Sequence, residues 1–440
     1  MIGRVIERFP GLQSHHGRAI SNIAAIAIFV FAAKLAGAGK EVAVAARYGT
    51  APEVDAYNLI FNLMNWPISV WVEVLIAVMV PLLVGARNTP AASALRWRVL
   101  KLGIGVGAAL ALIFASSVWL AIGRGWLGAA PDVAAVAREM IAPLALGIPF
   151  GFAVASFNAD LIAQQRRVSS LIDGVPSLVL IGSVLLSSGS GAGPLSWGTF
   201  LGFAAQLAVS VLVYSRGLLP RVAISGADDE LWGAFCKSVA IVAVGQMITT
   251  AGTLVLDQLM VVQLGPSANA VLGYSGRLTM LVLSIGALAA ARATLPLFSA
   301  FGDDQRDLRR RVAYQWSGAM FGLGAIAAIA GWLMAPYVIS AIFQRGAFTA
   351  SDTEQVTEVF RYSLLQVPFY FANIVLVQLL ISSRKYSFFL WTCVIQFGVK
   401  YLANSLLIPA FGLPGVPLSA CIRAAEALVF SFVFLRLSKA

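Results

Sequence analysis

The chain has 440 residues, 59% of them hydrophobic and only 12% charged, against roughly 25% charged in soluble domains, and a soluble globular protein is thereby excluded. Its 31 Lys and Arg outnumber 20 Asp and Glu to give a net charge of +11, but the polar surface is too small for a nucleic-acid partner. Spans of about 20 apolar residues use up most of the length and leave short loops with no sizeable soluble domain.

Residues 1–19 carry Arg4, Glu7, Arg8, His15, His16 and Arg18 and read as a cytoplasmic amphipathic leader, lacking the apolar core of a signal peptide. Apolar windows then predict an all-α polytopic membrane protein with spans near 20–46, 56–85, 99–123, 136–160, 168–190, 195–215, 233–263, 269–298, 314–343, 359–382, 387–409 and 414–435. The first span holds Lys34, Lys40 and Glu41, with Gly37 and Gly39 loosening it just before Lys40. Glu73 and Pro67 lie in the second, and Pro143 and Pro149 kink the fourth. Gly103, Gly105 and Gly107 sit inside the third span with no preceding strand, so they are not a dinucleotide loop. Asp173 lies in the fifth span, and residues 216–232 form a cytoplasmic linker whose Asp228-Asp229-Glu230 run is solvated.

Lys237 and Asp257 fall in the seventh span, Arg277 and Arg292 in the eighth. Gly318 and Gly322 in the ninth form a GxxxG expected to pack closely on another helix. Ser351-x-x-Glu354 has the spacing of a capping box opening the tenth helix, and Pro368 kinks it. Lys400 and Asn404 lie in the eleventh; in the twelfth, Arg423 and Glu426 are three apart and expected to form a local ion pair. Cys236, Cys393 and Cys421 read as small core residues. There is no His-rich cluster, nucleophile elbow or Walker motif, so neither a cofactor, a metal site nor an enzyme is expected.

Two features organise these spans. Ile148-Pro149-Phe150-Gly151-Phe152 answers Val367-Pro368-Phe369-Tyr370-Phe371 at an offset of 219, Glu41 and Gly49 answer Asp257 and Gly265 at 216, and Val80-Pro81 answers Leu295-Pro296 at 215. Two six-helix lobes, 20–215 and 233–440, follow, related by a pseudo-two-fold along the membrane normal, a plan that suits alternating access. Placing the amino terminus inside puts nineteen basic residues in cytoplasmic segments and five in the opposite loops, so the positive-inside rule puts both termini in the cytoplasm. The remaining seven lie within spans. Charge there costs roughly 2.5–3.5 kcal/mol per residue and needs a cavity or a partner. Lys237 and Arg292 can snorkel. Lys34, Lys40 and Arg277 are expected to converge between the lobes, where they would hold an anion such as a diphosphate, unless they neutralise Glu41, Glu73 or Asp257.

Several stretches resemble the MurJ/MviN family of lipid-linked glycan flippases, within the multidrug/oligosaccharidyl-lipid/polysaccharide (MOP) exporter superfamily. They are Gly39-Lys40-Glu41 through Arg47-Tyr48-Gly49 to Asp55-Ala56-Tyr57, then Tyr274-Ser275-Gly276-Arg277-Leu278, and Phe343-Gln344-Arg345-Gly346-Ala347-Phe348-Thr349. The resemblance extends over about residues 20–435. It implies a monomeric inner-membrane protein with a cationic cavity that carries an undecaprenyl-diphosphate-linked glycan to the outer leaflet, alongside biosynthetic glycosyltransferases or a polymerase. It places Lys34, Lys40 and Arg277 as cavity cations, and Glu41, Asp55, Asp257, Lys400 and Asn404 as gating or ion-coupling candidates. Three departures stand out. Pro67-Ile68-Ser69 replaces a pair of arginines expected in the second helix, the chain has about twelve helices where lipid II members commonly have fourteen, and Lys400 falls at the family's sodium site, where its ammonium would stand in for the ion. The cargo is therefore expected to be lipid II or an exopolysaccharide or O-antigen unit. A glycosyltransferase or polymerase on the same carrier is the alternative, though it would need a larger outer loop bearing acids or His; a drug exporter is another, though three cations would repel cationic drugs.

Overall fold

The computed structural model describes residues 31–86, 89–164, 166, 168–187, 189, 191–215, 229–299, 306–382 and 387–437. In lipid every backbone polar group must be satisfied within its own segment, and the described residues are helical with no strand. The helices are α1 (31–48), α2 (Pro52–Gly85), α3 (Pro90–Gly123), α4 (Pro131–Ala163), α5 (Val175–Leu186, after a short turn at Ser169–Ile172), α6 (Gly193–Ser215), α7 (from Asp229), α8 (Ala268–Ser299), α9 (Arg306–Phe343), α10 (Ala350–Leu364, continuing as Val367–Ser382), α11 (Ser387–Phe411) and α12 (Gly415–Leu437). Ten are long and apolar enough to cross a membrane. The shorter α5 and the described part of α1 stand where the fifth and first spans were expected. Helix starts follow from the residues: Pro52, Pro90 and Pro131 open α2, α3 and α4, where a missing N–H costs nothing, and Thr89 Oγ1 accepts from Ala92 N to cap α3.

The internal repeat is visible in the backbone. The α1–α2 and α7–α8 turns each contain a glycine at positive φ, Gly49 at 56° and Gly265 at 112°. Gly128 (63°) and Gly346 (60°) do the same between α3–α4 and α9–α10, and Gly191 (135°) and Gly412 (64°) between α5–α6 and α11–α12. A left-handed residue that closes a helix favours glycine because no Cβ is present to clash. The same pairing governs helix packing. A Cβ on Gly107 of α3 would come within 2.9 Å of Pro149 Cα on α4, and one on Gly324 of α9 within 2.7 Å of Pro368 Cα on α10. The proline bends one helix and the glycine lets its neighbour approach. Accordingly α4 and α10 are the most buried of the spanning helices, at 72% and 61% of their apolar windows. Gly107→Leu and Gly324→Leu should each destabilise by about 1–3 kcal/mol through overpacking, read as a lower thermal unfolding midpoint in detergent. Gly318→Leu, which has nothing within 4 Å of its Cβ position, should not.

The chain packs as two compact units. One comprises Met1–Ala43, Pro67–Ser117 and Ile141–Ala243, the other Val44–Trp66, Val118–Met140 and Val244–Ala440. Within the first, Trp71 of α2 stacks on Phe152 of α4 at 5.4 Å, and Arg96 of α3 donates to the buried Asp160 of α4 at 2.7 Å. Three local expectations are corrected. The GxxxG glycines Gly318 and Gly322 meet nothing within 4 Å, and Gly324 makes the close approach instead. Cys236 is exposed and not a core residue. The capping box of α10 is formed by Thr349 and Asp352, not by Ser351 and Glu354, because Thr349 is the extended residue whose hydroxyl accepts from the Asp352 N–H.

Candidate functional site

A deeply buried charge in the second unit is Lys400 of α11, with 2% of its surface exposed. Its Nζ lies 3.0 Å from Asp257 Oδ1 of α7, donates to Ser419 Oγ of α12 at 2.8 Å and reaches the Val416 carbonyl at 3.3 Å. Asn404, one turn further along α11, donates from Nδ2 to the same Asp257 oxygen at 2.8 Å, and its Oδ1 accepts from Ser419 Oγ. A buried ammonium is tolerated only when paired and hydrogen-bonded, and two neighbouring helices, α7 and α12, supply those partners. The local cause lies in α7, which is not a regular helix. After Asp229–Thr250 it widens into a π-turn at Ala251–Val255, resumes α geometry at Leu256–Val261 and tightens to a 3₁₀ turn at Val262–Leu264. Such π-turns re-aim the residues that follow them, and the first residues after this one include Asp257.

Beside this cluster, Arg423 of α12 donates from Nη1 to Gln396 Oε1 of α11 at 3.1 Å. The close ion pair expected with Glu426 does not form, since neither Glu426 carboxylate oxygen has a hydrogen-bond partner among the described residues. Sequence spacing puts the two on one face, but a helix neighbour captured the guanidinium.

A second network surrounds the α1–α2 turn. Asp55, in the first turn of α2, is 2% exposed, and its Oδ1 accepts from the Ala270 N–H at the start of α8 at 2.6 Å. One turn on, Asn58 Nδ2 donates to the Asn269 carbonyl at 3.2 Å, while its Oδ1 accepts from Arg277 Nη2 of α8 at 3.0 Å. Tyr274 Oη donates to the Gly49 carbonyl at 2.9 Å, and Ser267 Oγ to the Thr50 carbonyl at 2.9 Å. Thr50 Oγ1 in turn donates to Asp352 Oδ1, so the carboxylate that caps α10 also holds this turn. Ala347 N donates to the Ala46 carbonyl at 2.8 Å, and a Cβ on Gly346 would overlap that carbonyl. This is an interlocked latch with an arginine at its inner edge.

In the first unit, Lys34 of α1 is exposed, and Lys40 Nζ lies 2.7 Å from Oε1 of the buried Glu41. Glu73 and Lys237 are exposed; the Arg292 side chain lies outside the described residues. The structure thus joins Asp257 of the seventh span to Lys400 and Asn404 of the eleventh, and sets Asp55 and Arg277 in one network. Lys34, Lys40 and Glu41 belong to one unit and Arg277 to the other. Asn58, Ser419, Thr50 and Asp352 were not expected. Asn58 had a signal, being a buried amide one turn after Asp55 in an apolar helix; a serine in a membrane helix, such as Ser419, has none, because it usually bonds its own backbone.

A bundle of apolar helices built from two similar halves, with charged residues held by partners within the spans, is the architecture of a polytopic membrane transporter. Structural similarity agrees. The lipid II flippase MurJ in an inward closed conformation superposes with a TM-score of 0.78 at 15% identity, covering 93% of this chain and 87% of that one. An inward-facing MATE-family multidrug transporter of the MOP superfamily gives 0.73 at 16%, covering 92% and 94%. A MOP superfamily transporter from Pyrococcus furiosus gives 0.60 at 15%, covering 94% of each chain. At these identities the likeness is one of fold. No match was found among curated proteins. The family model for the lipid II flippase MurJ matches residues 44–440, and the chain belongs to that family of lipid-linked glycan flippases.

Proposed function

We propose that the protein moves an undecaprenyl-diphosphate-linked glycan from the inner to the outer leaflet of the bacterial cytoplasmic membrane by alternating access of two six-helix lobes, 20–215 and 233–440, with both termini in the cytoplasm. Arg277 is the observation that carries this reading. It is a permanent cation in a membrane-spanning helix, oriented by the Asn58 amide oxygen at 3.0 Å, and a guanidinium binds phosphate oxygens with a fork of donors. Lys34 and Lys40 of α1 are further candidate cations for the cargo. Asp55, with the network around the α1–α2 turn, and Glu41, beside Lys40, are the candidate gating residues.

Sodium, which the family resemblance implies at α7, α11 and α12, does not fit the residues present. The oxygens that would ligate it, from Asp257, Ser419 and Val416, already take the Lys400 ammonium. Lys400 acts as a tethered cation, and the cycle runs without a bound metal at this position.

The cargo is lipid II or an exopolysaccharide or O-antigen unit. The replacement of expected arginines by Pro67-Ile68-Ser69 favours a polysaccharide unit, and the family match favours lipid II. Reconstituting the full chain in vesicles loaded on the inner leaflet with either lipid-linked sugar, and measuring the sugar that becomes reachable from the other leaflet, decides between them. Lys40→Ala should slow transfer of the accepted cargo by roughly tenfold or more, the loss of one charge-assisted contact. Transfer of neither cargo, or of both at the rate of protein-free vesicles, would refute the reading.

A further inference from the structure

A cleft of about 960 Å³ in the second unit runs between the last turns of α9 and the first turns of α10. Helix α9 is 38 residues long, roughly 57 Å at 1.5 Å per residue, and exceeds a hydrocarbon layer of about 30 Å. If Arg309, Arg310 and Arg311 mark one interface, about 20 residues of apolar core bring the helix to Trp332. The apolar stretch of α9 itself continues to Phe343, so Tyr337, Ser340 and Gln344 lie in or just after its last turns, and the cleft sits at the end of α9 remote from the arginines.

Its walls combine rings with unused polar groups. Trp332 and Tyr362 meet edge to face at 5.9 Å, and Tyr337 is 71% exposed. Arg361 is fixed in place, its Nε donating to the Trp332 carbonyl at 3.0 Å and its guanidinium 5.7 Å from the Trp332 ring centre, so its terminal nitrogens are presented as donors. Gln344 Oε1 accepts from Ser340 Oγ at 2.7 Å and from Thr353 Oγ1 at 3.3 Å, which turns the amide nitrogen outward as a further donor. Glu354 and Glu358 are exposed acceptors on the α10 wall. Thr357, only 5% exposed, lines the same cleft, and its Oγ1 has no hydrogen-bond partner among the described residues. That oxygen is itself closed off from the cleft, so the exposed groups carry the recognition.

We infer that this cleft binds a saccharide. A sugar ring offers polarised C–H faces that stack on the negative faces of aromatic rings and adjacent hydroxyls that donate to carboxylates while accepting from guanidinium and amide. It therefore uses every group in the cleft. An amine would engage the rings and Glu354 or Glu358 but leave the Arg361 and Gln344 donors idle, and an acyl chain would use none of the polar groups. The inference rests on the reading of the cargo as a lipid-linked glycan, whose sugar end this cleft would receive on arrival.

Purified full-length protein in detergent, with N,N′-diacetylchitobiose and cellobiose as probes and choline as the amine control, tests it by saturation-transfer difference NMR. Transfer to ring protons of at least one sugar is expected, weakened roughly tenfold in Tyr337→Ala and in Glu358→Gln, and retained in Tyr337→Phe. Absence of transfer from both sugars, transfer unchanged in Tyr337→Ala, or transfer from choline alone would overturn the inference. The measurement involves no transport. A cleft that binds no sugar in a protein whose flipping still depends on Arg277 removes only the cleft; Tyr337-dependent sugar binding in a protein that flips no lipid-linked sugar removes only the transport reading.

Discussion

Arg277→Ala should reduce appearance of the lipid-linked sugar in the opposite leaflet to near the protein-free rate, while the variant inserts and purifies as the parent does. A charge-assisted hydrogen bond contributes about 1.5–3 kcal/mol, and a guanidinium makes two at once to a phosphate, so a loss of roughly 100-fold or more follows. The paired variant is Arg277→Lys. It keeps the charge but not the fork, and it cannot both reach Asn58 Oδ1, now bonded at 3.0 Å, and present two parallel donors, so an intermediate rate is expected. Asn58→Ala separates orientation from charge. The guanidinium persists without its anchor, and the defect should appear as weaker cargo binding more than as a lost turnover rate. Wild-type flipping in Arg277→Ala, with folding confirmed by an unchanged thermal midpoint, would remove the cationic-cavity mechanism.

The fold was legible in the sequence because its causes are local and repeated. Length and apolarity predict every span that the structure describes, and the offsets of 215 to 219 between matched segments reappear as paired glycines, Gly49 with Gly265 and Gly128 with Gly346, at positive φ. Packing partners were less legible. A GxxxG at Gly318 and Gly322 is a pattern of spacing, whereas the contact at Gly324 depends on where Pro368 bends α10. In the same way Arg423 and Glu426 share a helical face, yet which acceptor the guanidinium takes depends on Gln396 of another helix. The capping box slipped from Ser351 to Thr349 because the preceding turn, held to the Ala46 carbonyl through Ala347 N, decides where the chain first becomes helical. Among the residues singled out in the sequence, Asp55, Asp257, Arg277, Lys400 and Asn404 are each held by a specific partner. Of their uncharged partners, Asn58 stands out as an amide one turn after Asp55 in an apolar helix, whereas Ser419 carries no signal, because a serine in a membrane helix usually bonds its own backbone.

The second large effect concerns Lys400, and it separates a tethered cation from an ordinary ion pair. Lys400→Ser removes a 2% exposed ammonium and leaves the Asp257 carboxylate facing Asn404 and Ser419 alone. Breaking a buried pair in this way costs about 3–5 kcal/mol, so the thermal midpoint in detergent should fall sharply when the buffer cation is large, such as N-methylglucamine. Asp257→Asn combined with Lys400→Met removes both charges and should recover most of the loss, because an uncharged replacement of similar volume is often neutral. If the ammonium merely offsets one acid, nothing further happens. If it occupies a cation seat, Lys400→Ser exposes oxygens from Asp257, Asn404, Val416 and Ser419 to a small hard ion. Sodium should then stabilise the variant by mass action on the folded state while leaving the parent unaffected, and flipping by Lys400→Ser should become sodium-dependent. A parent protein that sodium stabilises, or a Lys400→Ser variant indifferent to the choice of cation, would show that the lysine does not occupy such a seat. Asp257 would then be neutralised for packing alone, and the energy for transport would have to couple elsewhere, with Lys40 and Glu41 of α1, paired at 2.7 Å, as the next residues to vary.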